Sequence, residues 1–90
     1  MESEPDKELL TMQKGLQLFY ADYIDEDDGY QYDEYVVGRT YDSAFKRWYK
    51  HACDCCYRFS YYFYQVDDKE KIDYFIRYCC GEGNVKAGIY

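Results

Sequence analysis

Proline and histidine are almost missing from this chain, with one of each, Pro5 and His51. A lone proline near one end leaves no Pro-rich linker to divide the chain. A lone histidine leaves His51 as the sole imidazole for general acid–base chemistry. Glycines fall singly at 15, 29, 38, 81, 83 and 88, so no Gly-rich phosphate loop can form. Neither G-x-S-x-G nor H-E-x-x-H occurs, which removes the α/β-hydrolase elbow and the zincin helix. No apolar run approaches the roughly 18 residues of a membrane-spanning helix. Met1-Glu2-Ser3-Glu4-Pro5-Asp6 carries acids where a secretory leader would carry bases and then an apolar stretch. The expected location is therefore the cytoplasm, no membrane is expected as a partner, and no enzyme activity is expected.

What the chain does contain is acid and tyrosine. Its 90 residues hold 18 Asp and Glu against 11 Lys and Arg, a formal charge of −7, and 14 tyrosines. Such a length supports one domain, residues 1–90, with one modest core. The negative balance argues against direct contact with nucleic acid, whose phosphates it would repel. Residues 1–35 hold 11 acids and two bases, net −9, while residues 36–90 hold seven acids and nine bases, net +2. The excess of negative charge thus sits wholly in the first 35 residues. Tyrosine offers a large contact area with a hydroxyl at its wet edge, so this many serve either an amphipathic core or a recognition surface.

Hydrophobic spacing suggests an α+β fold: a short N-terminal helix and a β-hairpin packed on an antiparallel pair of helices. Ser3 and Pro5 resemble a helix start, followed by Leu9, Leu10, Met12 and Leu16. Residues 16–24 fit both periods. Read as a strand, they pair with Tyr30–Val37 across the loop Asp25-Glu26-Asp27-Asp28-Gly29; read as a helix, they make an all-α bundle. Strand is preferred, since Gly29 suits the turn and Tyr and Val suit the second strand. Thr40 can N-cap a helix whose stripe runs Tyr41, Ala44, Phe45, Trp48, Ala52, Cys55, Cys56, Phe59 and Phe63. Asp67 would head a capping box for a second helix, with Ile72, Phe75, Ile76 and Cys79 as its buried stripe and Gly81 as its stop. The tail from Val85 to Tyr90 either adds an edge strand or frays.

Three clusters could carry function. The first lies in the hairpin, where seven acids occupy the 13 residues from Asp22 to Glu34, with no base between Gly15 and Gly38. Asp22, Tyr23, Asp25, Glu26, Asp27, Asp28, Tyr30, Tyr32, Asp33 and Glu34 form the candidate partner-binding set. Carboxylates on a rigid hairpin can stand where phosphates would, so a basic nucleic-acid-binding groove would accept them. A solvated loop that serves solubility is the plainer alternative. Calcium is excluded in EF-hand form: with Gly29 at loop position 6, position 1 falls on Ile24 and position 12 on Tyr35.

The second cluster holds the five cysteines, Cys53, Cys55, Cys56, Cys79 and Cys80. An odd number without a leader reads as reduced thiols, mostly packed as small hydrophobes. If the helices paired, Cys53, Cys56 and Cys79 would approach one another as a low-ranked zinc site lacking a fourth ligand. His51 shares a helix face only with Cys55 among its near cysteines. The third cluster is basic: Arg39, Lys46, Arg47, Lys50 and Arg58 would neutralise the hairpin acids, or meet them in a second molecule.

Being short, acidic, Tyr-rich and free of active-site motifs, the chain resembles in composition the phage-encoded inhibitors of restriction, CRISPR or transcription machinery. That resemblance implies a DNA-mimic inhibitor acting in a host cytoplasm, bound to a basic nucleic-acid-binding protein and needing no cofactor. The alternative is a structural or adaptor module held by zinc or thiols, or built as a homodimer.

Overall fold

The computed structural model describes residues 8–81 and 85–90. Strands β1 (Gln17–Asp25) and β2 (Gln31–Gly38) form the hairpin, in a register that pairs Leu18 with Val37 and Ile24 with Gln31. Gly29, at φ +81°, supplies the left-handed residue that the loop between them needs. Helix α1 (Tyr41–Cys55) follows, then strand β3 (Phe59–Val66). Helix α2 (Lys69–Tyr74) runs on as a π-helical turn over Phe75–Cys79, and β4 (Gly88–Ile89) closes the order. All pairings are antiparallel and the sheet reads β3-β1-β2-β4.

The sheet has a core on each face. On one side Phe19, Ala21, Tyr23, Val36 and Phe63 pack against Ala44, Trp48 and Ala52 of α1. Trp48 is fully buried and meets Tyr23 and Phe59 edge-to-face. Helix and strand approach closely at Gly38, where an added Cβ would lie 2.9 Å from the Ala44 Cβ. On the other side Leu18, Val37 and Val66 pack against Phe75 and Ile76. This second core covers only one end of the sheet.

The expected antiparallel helix pair is absent, and with it the all-α alternative. The helix that the apolar stripe would extend to Phe63 ends at Cys55, because Cys56 turns to extended backbone at φ −133°, ψ 133°. Phe59 and Phe63 are four apart, which satisfies a helical period and a strand period alike. Residues 59–66 are dense in Phe and Tyr, which favour strands, and β1 has a free edge for them to pair with. The two helices therefore lie on opposite faces of the sheet.

No N-terminal helix forms over the described part. Glu8–Gln13 has no regular structure and Lys14–Gly15 make a turn. Leu10 and Met12 both pack on the second core, and side chains two apart share a side only in extended chain. Ser3 and Pro5, the expected start, lie outside the described residues.

Thr40 does cap α1, in a reciprocal pair with Ser43. For α2 the cap is Asp68 and not Asp67: its side chain accepts from the Glu70 and Lys71 amides. The π turn bonds Cys80 N to Phe75 O, one residue beyond α-helical spacing. That extra residue turns Cys79 outward and packs Cys80 against the core, contrary to the expected stripe. The tail pairs, with Tyr90 exchanging backbone bonds with Tyr35.

Candidate functional site

Backbone bonds fix which side chains share a face. Asp25 N bonds Tyr30 O and Glu26 N bonds Arg58 O, so odd residues of β1 bond to β2 and even ones to β3. Even residues of β1 point away from α1, with their partners beside them. Three rows result on that face: Tyr64–Tyr20–Tyr35, Tyr62–Asp22–Asp33 and Ser60–Ile24–Gln31. The helical segment after β3 covers the row Val66–Leu18–Val37 and meets Tyr35 through Phe75. Beyond it the sheet lies open: Tyr62 is 75% exposed, and Tyr64, Asp33, Gln31 and Ser60 are also exposed.

The middle row carries an electrostatic cost. Asp22 and Asp33 are directly opposed and share no backbone bonds, the narrow kind of cross-strand pair, with Cα atoms about 4.5 Å apart. Like charges so placed are destabilising. Among the described residues neither forms an ion pair. Asp33 accepts a hydrogen bond from the Tyr20 hydroxyl. Burial and that carboxylate push the Tyr20 phenol well above its ordinary value, so it stays a donor.

The ten residues of the hairpin set part company in the fold. Asp22, Asp33 and, at its far end, Glu26 stand on the open face. Tyr23 is buried under α1 and donates to Glu34 Oε2 at 2.9 Å, and Tyr32 stacks on it at 5.3 Å. Asp25 is buried and accepts from the Asp27 amide at 2.8 Å. Asp28 accepts from the Tyr30 amide at 3.0 Å. Asp27 pairs with Arg58 at 3.0 Å and Glu26 accepts from Ser60. Tyr30 is exposed at the loop. Most of the tip acids thus hold the turn together.

Sequence reasoning left Tyr20, Tyr35, Tyr62, Tyr64 and Asp67 out of the set. The parity of Ser60, Tyr62 and Tyr64 was the available signal, and it is meaningless until residues 59–66 are read as a strand.

The basic residues divide as well. Arg58 neutralises the hairpin tip, whereas Lys46, Arg47 and Lys50 are exposed on α1 and form no ion pair among the described residues. These exposed bases of α1 therefore lie on the side of the sheet opposite Asp22 and Asp33.

The thiols do not assemble. Cys53 and Cys56 belong to the α1 side and Cys79 to the other, so the sheet separates the three expected zinc ligands. Among the described residues no three His, Cys, Asp or Glu side chains are placed to hold a metal ion. Cys55 Sγ lies 3.8 Å from His51 Nε2, as the helical spacing requires. That same nitrogen faces Glu34 Oε1 at 3.1 Å, so the carboxylate and the thiol compete for one ring atom. A nucleophilic triad needs them on opposite nitrogens. Burial pushes the Cys56 and Cys80 thiols up, away from the reactive thiolate.

No described helix is long and apolar enough to cross a membrane. Comparison with protein families, with curated proteins and with solved structures gives no significant match to this chain.

Proposed function

We propose that the protein is a non-catalytic binding module that docks a basic protein surface onto the open face of its sheet. One observation carries the reading: Asp22 and Asp33 are held side by side on an uncovered face, flanked by exposed Tyr62 and Tyr64. A cation seated across the two carboxylates would relieve their repulsion, and tyrosines beside them give contact area at low entropy cost. The site moves from the hairpin tip, whose acids are engaged within the chain, to the adjoining sheet.

A basic surface filled in this way is closed to nucleic acid, so inhibition of a nucleic-acid-binding protein is the expected consequence. The test is capture from lysate at low salt, with double-stranded DNA as competitor and the Asp22→Asn/Asp33→Asn variant run in parallel. Support would be a nucleic-acid-binding protein that DNA displaces and that the variant fails to capture. A partner held equally by the variant, one indifferent to DNA and salt, or no partner at all would overturn the reading. Capture of the protein's own chain through the exposed lysines of α1 would replace it with head-to-tail self-assembly.

A further inference from the structure

At the boundary between the open face and α2 lies a cavity of about 400 Å³, at the lower end of small-ligand sites. Its walls include Tyr20, Tyr35 and Tyr64, and its rim carries Asp33, Asp67 and Asp68. We propose that this cavity receives an arginine side chain of the partner. The inference rests on the binding function above and names the group that anchors it.

The rings come from one cross-strand row, with Tyr20 centred 5.2 Å from Tyr35 and 5.8 Å from Tyr64, both tilted. Donors line the cavity too, in the Tyr35 and Tyr64 hydroxyls, the Lys71 ammonium and the Gln65 amide, which donates to Gln17, but its charge is mostly negative. Asp33 gives Oδ2 to Tyr20, and Asp68 gives Oδ1 to two backbone amides. Asp33 Oδ1, Asp68 Oδ2 and both oxygens of Asp67 accept no hydrogen bond within the described residues. The Tyr20 proton is committed to Asp33, and Lys71 is the one base on the rim.

With three carboxylates against one ammonium, the cavity is net acidic, and three tyrosines line it. Guanidinium is its complement: five donors, no acceptor, a fixed positive charge and a plane that stacks on rings. An ammonium group brings three donors and a tightly held hydration shell, so it fits less well. A divalent cation does not fit, since no three carboxylates converge among the described residues.

The experiment titrates the whole chain, labelled with ¹⁵N, with short peptides that alternate glycine with arginine, lysine or citrulline. Citrulline keeps the shape of arginine and removes its charge. The arginine peptide is expected to bind tightest, with shifts at Tyr20, Asp33, Tyr64 and Asp67, and the citrulline peptide not to saturate. Asp67→Asn, with unchanged melting, and Tyr64→Ala, with a small loss because its ring also packs on Tyr20, should each weaken the arginine peptide by about tenfold. Equal binding of the citrulline peptide would overturn the proposal. So would indifference of both variants, or shifts confined to the hairpin tip. If partner capture survives while the cavity variants bind the peptide normally, the arginine site fails alone. If neither partner nor peptide binds, the binding function fails with it.

Discussion

The two faces of the sheet are built from the same alphabet and do opposite things with it. Under α1, Phe19, Tyr23 and Phe63 surround Trp48, and the one acid in their rows that reaches inward, Glu34, is bonded to both Tyr23 and His51. Across the sheet, Tyr20, Tyr62 and Tyr64 border two opposed aspartates that form no ion pair among the described residues. The first face buries aromatics and satisfies its acids, Glu34 and Asp25; the second exposes aromatics and leaves Asp22 and Asp33 in conflict. Folding alone explains the first. The second costs stability, and that cost is the ground on which the binding role is proposed.

Truncation at the covered face should have the largest effect. Trp48→Ala should cost about 3–5 kcal/mol, read from urea unfolding, because it empties the centre of the α1 core. On the open face Tyr62→Ala should cost less than about 0.5 kcal/mol, since most of that ring is already in water. Similar losses at the two sites would erase the distinction between the faces.

Alkaline titration probes both faces together. Burial, and hydrogen bonds to Asp33 and Glu34, raise the Tyr20 and Tyr23 phenols. Their neutral form is favoured in the folded chain, so this stability is fully present below the unfolded value near 10 and is lost as pH climbs past it. Melting followed from pH 8 to 11 should therefore fall at the alkaline end. Tyr20→Phe/Tyr23→Phe should flatten that fall, because phenylalanine has no proton to lose.

Smaller effects belong to exposed charges. Arg58→Ala, which removes the cation at the hairpin tip, should lower the melting temperature only slightly, because the exposed ion pair is screened by solvent. Asp22→Asn should raise stability by about 0.2–1 kcal/mol at low salt by relieving the opposed pair. That gain should shrink in about 1 M salt, where the screening length is near 3 Å. An Asp22→Asn variant that is less stable than the parent would mean that the two aspartates do not repel.

The hairpin was legible in the sequence because its loop chemistry and its strand composition agree: acids and Gly29 between runs of Tyr and Val. Thr40 was legible as a cap for the same reason. The second half misled because Phe59 and Phe63 fit two periods, and helix periodicity upstream favoured the wrong one. What decided the matter, an unpaired edge on β1, is a tertiary fact. The shift from Cys79 to Cys80 came from a π turn that no spacing rule announces. For the proposed site, charge clustering pointed to the hairpin strands, and the fold shows which of their acids are engaged within the chain. Turn geometry consumes Asp25 and Asp28, and Arg58 and Ser60 arrive at Asp27 and Glu26 from β3. Only the register shows that Asp22 faces Asp33.

One comparison separates the open face from the hairpin tip: the low-salt affinity of an arginine–glycine peptide for two double variants. Asp22→Asn/Asp33→Asn should lose about tenfold or more, while Asp27→Asn/Asp28→Asn should stay within about twofold of the parent. The reverse order, or equal loss from both, would contradict the assignment of binding to the open face.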